Sequence, residues 1–114
     1  MEKECIDRIN RIENGFNEMR QVFIALGDET RQAIIIAILD GDPTGMRVGE
    51  IAKFTYLSRP AVSHHLQFLK DAGIIKMRKE GTKNFYYINT ESKLWEKLVN
   101  LFTDIRDNVH HLEK

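Results

Sequence analysis

The side chains best equipped for chemistry in this 114-residue sequence lie in one run: Ser58, Arg59, Ser63, His64, Gln67 and Lys70. If Val62, Leu66 and Leu69 face inward at i, i+4 and i+7 of a helix, those polar groups share its outer side. Such a face supplies hydrogen bonds to nucleic acid. Gln67 matches an adenine edge, Arg59 a guanine or a phosphate, and Ser63 and His64 either kind of group. A polar face alone is only a solvated face, so the neighbouring elements decide its meaning. His65 has two readings, a phosphate contact or a helix-packing residue. Catalysis has no comparable support: the chain carries no Gly-rich phosphate loop, nucleophile elbow, His-x-x-x-His motif or paired carboxylates. The two histidine pairs, His64-His65 and His110-His111, are adjacent in sequence and so point about 100° apart on a helix.

These residues need elements to hold them. Residues 3–14 place Cys5, Ile9 and Ile12, with Phe16 beyond, on one face of an amphipathic helix that Gly15 is expected to end. A short helix with Met19, Val22, Phe23 and Leu26 runs to Gly27. Asp28 reads as an N-cap with Glu29 in the first turn, opening a helix over residues 31–39 whose Ile34-Ile35-Ile36 run is expected to be fully enclosed by the core. After a turn cluster at residues 40–45, Val48, Ile51 and Ala52 mark a helix over residues 47–54, and residues 55–57 a connector. Ser58 then stands as an N-cap with Pro60 near the first turn, and Gly73 stops the helix. Alternation in residues 74–79, a turn at residues 80–83 and an aromatic run at residues 84–88 make a β-hairpin. Beyond Thr90 a long helix carries Leu94, Leu98, Leu101, Ile105 and Leu112, with a second stripe at Trp95, Phe102 and Val109. This order is a winged helix-turn-helix, mainly α with a β-hairpin wing, with the helix-turn-helix at residues 47–73 and the wing at residues 74–89. Such a module sets its second helix in the DNA major groove and its hairpin beside the backbone.

The net charge is zero, 17 basic against 17 acidic side chains, which excludes a uniformly basic nucleic-acid coat and an acidic tail. Residues 47–83 nevertheless hold eight basic side chains (Arg47, Lys53, Arg59, Lys70, Lys76, Arg78, Lys79, Lys83) and three acids (Glu50, Asp71, Glu80), a local net of +5. The excess falls on the expected reading helix and wing, where phosphates need neutralising. With 42% hydrophobic and 30% charged residues, the chain reads as one globular domain over residues 1–114. The longest apolar stretch, residues 33–39, is far short of the ~20 residues that cross a bilayer. No apolar leader follows the charged N-terminus, so a cytoplasmic location without a membrane partner is expected.

The segments FIALGDETR (residues 23–31), VGEIA (48–52), SRPAVSHHLQFLKDAGII (58–75) and FYYI (85–88) together resemble the ArsR/SmtB family of bacterial repressors. The resemblance extends over roughly residues 16–90 and rests on the combined spacing of these segments. It implies a homodimeric, sequence-specific transcriptional repressor that binds a dyad-symmetric operator in double-stranded DNA. It also implies release by a small-molecule or ion inducer, and that Ser58, Arg59, Ser63 and His64 make the principal DNA contacts. One departure concerns the wing. Where family members often carry an arginine after the wing glycine, this sequence has Thr82 and then Lys83, which neutralises phosphate without a planar fork. Phosphate contact by Arg78, Lys79 and Lys83 is therefore expected in place of minor-groove reading. The other reading of the same elements is a winged-helix protein-interaction module without specific DNA binding.

The terminal helices, within residues 1–16 and 91–112, have more apolar faces than one core needs. They are expected to lack a partner within the chain and to dimerise through Ile9, Ile12, Trp95, Phe102 and Val109; packing on each other within a monomer is the competing arrangement. A twofold axis then sets the reading helices about 34 Å apart. The family's thiolate metal site is excluded, since residues 47–56 hold no cysteine, and its last-helix site is broken, since Arg106 stands where a histidine two residues after Asp104 is required. Asp107, His110, His111 and Glu113 form a partial cluster of the type that zinc or nickel takes. A polar helix end is the simpler reading of them, and no cofactor is expected. Cys5, the single cysteine, is either a switch between subunits or, as lone cysteines more often are, a small packing hydrophobe.

Overall fold

A computed structural model describes residues 2–112. In chain order the elements are α1 (Lys3–Glu18), α2 (Arg20–Leu26), α3 (Glu29–Asp40), α4 (Val48–Thr55), α5 (Arg59–Asp71), β1 (Ile75–Glu80), β2 (Lys83–Ile88) and α6 (Leu94–Leu112). The described residues form two compact units, residues 2–20 with 92–112, and residues 21–91.

In the first unit α1 and α6 pack antiparallel, which corrects the expectation that the terminal helices have no partner within the chain. Leu94, Leu98 and Leu101 are buried at i, i+4 and i+7 of α6. Arg11 donates to both carboxylate oxygens of Asp104 at 3.1 and 3.2 Å, which raises the guanidinium's proton affinity, and Lys97 bonds to Glu18. A second correction follows from the same packing. α1 does not end at Gly15 but runs through it to Glu18. A Cβ at Gly15 would stand 2.8 Å from Leu101 Cδ1. The glycine is there to let α6 approach, and that packing outweighs its ~1 kcal/mol helix penalty. Cys5 is buried, with Sγ 3.5 Å from His111 Nε2.

In the second unit Asp28 caps α3 as expected, its Oδ2 accepting from the Arg31 N–H at 2.9 Å. Arg31 reaches back to donate to the Ala25 and Ile24 carbonyls at 3.0 and 2.9 Å, closing the otherwise unpaired C-terminal end of α2. Its guanidinium also lies 4.3 Å from the centre of the Phe68 ring on α5. Ile34, Ile35, Ala37 and Ile38 are buried, but Ile36 and Leu39 are exposed. The isoleucine run is therefore not enclosed on every side, because α3 turns one face outward.

Tyr56 caps the C-terminus of α4 in the left-handed conformation, φ 59° and ψ 29°, and so turns the chain into α5. β1 and β2 pair antiparallel from Ile75↔Ile88 to Glu80↔Lys83. A bridge that the sequence pattern does not reveal, between Met46 and Tyr86, adds two backbone hydrogen bonds of 2.8 Å outside β2. At the hairpin's base, buried Asn89 donates to the Gly73 carbonyl at 3.0 Å and accepts from the Glu91 N–H at 3.1 Å. The result is the winged helix-turn-helix read from the sequence.

Candidate nucleic-acid interface

The roll of α5 is set from beneath. Val62, Leu66 and Leu69 have no exposed surface, and burying side chains of this size stabilises by roughly 1.5–3 kcal/mol each. Ser58 caps the helix, its Oγ accepting from the Ala61 N–H at 3.3 Å. The opposite face then presents Ser58, Arg59, Ser63, His64 and Gln67 to solvent, with Lys70 half-buried beside them. Gln67 donates to Asp71 Oδ1 at 2.8 Å, a bond that it must exchange before meeting a base. The rings of His64 and His65 stand edge to face, 5.7 Å apart. His65 is half-buried, its Nδ1 enclosed with no hydrogen-bond partner among the described residues, which favours its packing reading.

Lys79 and Lys83 extend from the wing into solvent. Arg78 differs from them. Its guanidinium lies over the Phe85 ring at 4.4 Å, donates to the Thr44 carbonyl and pairs with Glu80 Oε1 at 3.3 Å. It thus fastens the wing to the turn at residues 42–45. Within that turn Asp42 Oδ1 accepts from the Thr44 N–H and hydroxyl at 2.9 and 2.8 Å. These bonds hold the Asp42 carboxyl below the usual carboxylate range.

The residues of α5 and the wing meet at a place that sequence reading missed. A hollow of about 460 Å³ is lined by Arg47, Gly49 and Lys53 from α4 and its cap, Arg59 from α5, and Thr82 and Asn84 from the wing. A Cβ on Gly49 would lie 2.8 Å from Arg59 Nη2, so the bare glycine lets the guanidinium lie across α4. Glu50, also at the hollow, is committed: its Oε1 accepts from the Arg47 backbone N–H at 3.1 Å. Among the described residues none of Arg47, Lys53 and Arg59 is paired with a carboxylate. The signal in the sequence was the +5 excess, but only the fold brings these cations together.

Elsewhere, Ile9, Phe102 and Val109 are exposed and Ile12 and Trp95 half-buried, joined by exposed Ile6, Phe16, Val99 and Leu112. Asp107, His110 and His111 are exposed on α6, and Glu113 lies outside the described residues. Among the described residues no three His, Cys, Asp or Glu side chains gather as metal ligands.

Residues 28–77 match the family described as bacterial regulatory protein, arsR family. The HTH-type transcriptional regulator MJ1325 of Methanocaldococcus jannaschii is 42% identical over 73 residues, spanning 64% of this chain and 80% of the relative. This chain belongs to the ArsR family. The transcriptional repressor SdpR of Bacillus subtilis is 39% identical over 72 residues, 63% of this chain and 77% of its own. Among solved structures, the homodimeric winged helix-turn-helix DNA-binding domain of Mb0332 from Mycobacterium bovis superposes with a TM-score of 0.55 at 27% identity, covering 87% of this chain and 81% of that one. The ArsR-family chain is thus a transcriptional regulator with a DNA-binding helix-turn-helix. These relatives are regulators, not enzymes. None of the described helices is long and apolar enough to cross a membrane.

Proposed function

We propose that this chain is a homodimeric, sequence-specific repressor, working in the cytoplasm, that leaves its operator when an inducer binds. The observation that carries the reading is the outer face of α5, where Ser58, Arg59, Ser63, His64, Gln67 and Lys70 stand over a fully buried Val62-Leu66-Leu69 stripe. Residues 47–73 read bases, and the wing at residues 74–89 contacts phosphate through Lys79 and Lys83. Arg78 acts there chiefly by holding the wing in position. Residues within 1–16 and 91–112 carry the dimer, with Ile9, Ile12, Trp95, Phe102 and Val109 at its centre. Their outward apolar groups and the homodimeric description of Mb0332 support this. The family resemblance supports release by an inducer.

The test is a titration of the full chain against duplex DNA from upstream of its own coding region and against a scrambled duplex, repeated over a range of salt. Tighter binding to the upstream duplex, with affinity falling steeply as salt rises, is expected. Binding without preference or salt dependence would leave the protein-interaction module as the better reading. A reporter driven by that upstream DNA gives the sign: expression rises on loss of the chain if it represses.

A further inference from the structure

We infer that the hollow between α4 and the wing seats one phosphate of the DNA backbone, held by Arg47, Lys53 and Arg59. The inference rests on the DNA-binding reading above and adds a grip on the backbone that the α5 face and the wing lysines do not supply.

Three cations against one carboxylate, Glu50, leave the hollow with an excess of positive charge that a further anion offsets. The hollow's carboxylate, Glu50, is turned to the Arg47 backbone N–H at 3.1 Å and acts as a helix cap. The fold nevertheless builds the gathering in. Gly49 omits the side chain that would displace the Arg59 guanidinium, which a Cβ would meet at 2.8 Å. Opposite, the wing contributes the Thr82 hydroxyl and the Asn84 amide. Asn84 Oδ1 is enclosed and has no hydrogen-bond partner among the described residues. The same amide carries two N–H donors, and donors are what an anion needs. The lining thus combines two guanidinium forks, an ammonium, a hydroxyl and an amide, all able to donate to phosphate oxygens.

Location selects the duplex backbone over a free anion. The hollow takes Arg59 from the start of the reading helix and Thr82 and Asn84 from the wing tip. A sugar-phosphate strand running from the base-reading face of α5 to the wing passes over it. Its volume of about 460 Å³ also admits a phosphodiester with its flanking sugars. A contact of this kind is blind to sequence and sets register and orientation.

The seat is tested on a random-sequence 24-base-pair duplex, so that it stands or falls apart from operator recognition. Fluorescence anisotropy gives the affinity from low to moderate salt for the full chain and for Arg47→Ala, Lys53→Ala, Lys53→Gln, Lys53→Arg and Arg106→Ala. Each of the first three should weaken binding several-fold and lower the salt slope, by at most about 1 per chain since one phosphate is involved. Lys53→Arg should restore both, and Arg106→Ala, which removes an exposed cation from α6, should change neither. Circular dichroism melts confirm that the variants fold. An unchanged slope in Arg47→Ala and Lys53→Ala overturns the seat, as does a loss confined to upstream DNA with random-duplex binding intact. Inorganic phosphate that competes with the duplex at constant ionic strength overturns the assignment to the backbone. A full chain that binds the random duplex without preferring upstream DNA removes the repressor reading and leaves the seat standing.

Discussion

In the unit made by α1 and α6 Arg11 meets Asp104 and Lys97 meets Glu18, while apolar side chains such as Ile6, Ile9, Val99 and Val109 are left facing water. In the unit of residues 21–91 the emphasis reverses at α4, α5 and the wing, where Arg47, Lys53, Arg59, Lys70, Lys79 and Lys83 have no carboxylate paired with them among the described residues. An exposed apolar surface gains by burial against a second protein surface. A surface of unmatched cations gains by releasing counterions from a polyanion. The same net charge of zero therefore contains two surfaces of different chemistry, one suited to a protein and one to a polyanion.

The largest expected effect strikes the α5 face alone. Ser63→Ala with His64→Ala should lower upstream-duplex affinity by ~100-fold, since each side chain that reads a base contributes roughly 1–3 kcal/mol, with the sedimentation coefficient unchanged. A gel-shift titration showing unaltered affinity would place the reading face elsewhere. The mirror experiment puts charge into the other surface. Ile9→Asp with Val109→Asp should convert the proposed dimer to monomer in sedimentation at micromolar concentration while each monomer keeps its helix content. Persistence of the dimer would move the interface off these helices. Next in size, Gly15→Val should destabilise the chain by about 2 kcal/mol in urea melts, since its Cβ is driven against Leu101. Random-duplex binding by the folded fraction should be untouched. A smaller gain is expected from Tyr56→Gly, about 1 kcal/mol of added stability from relieving the left-handed backbone at φ 59°, read as a raised urea midpoint.

The smallest effect concerns the turn under the wing. The Asp42 carboxyl is depressed by its bonds to Thr44, so its contribution is present above the unfolded carboxylate range and is lost as pH falls through the lower, folded value. The chain should thus lose a small increment of stability on acidification that Asp42→Asn does not show. Identical acid profiles for the two would remove the turn from consideration.

α5 was legible because every signal for it is local. Ser58 precedes the helix, Pro60 lies in its first turn, and the Val62-Leu66-Leu69 spacing sets the roll, so the outward residues followed. The hairpin was legible for similar reasons. The misreadings share a cause, which is that they depend on what another element brings. Gly15 has the composition of a stop signal, and only Leu101 explains why a helix passes through it. Ile36 and Leu39 look like core, and only the placement of α3 leaves them outside. Arg47, Lys53 and Asn84 are scattered along the chain, and nothing in their own neighbourhoods announces that they converge with Arg59. Arg78 is expected at a phosphate from its charge, and its further place against Phe85 and the Thr44 carbonyl is a matter of tertiary position that its neighbours in sequence do not announce.

The hairpin is fastened along its length, by Asn89 at its base, by the Met46 bridge outside β2 and by Arg78 to the Thr44 carbonyl. A wing fastened in this way is less a flexible arm than a stiff edge cut to shape before any duplex arrives. Little ordering entropy is then left for the moment of encounter. If the wing contacts DNA as proposed, loosening any one fastening should lower duplex affinity without removing a contact, because the ordering cost moves to the moment of binding.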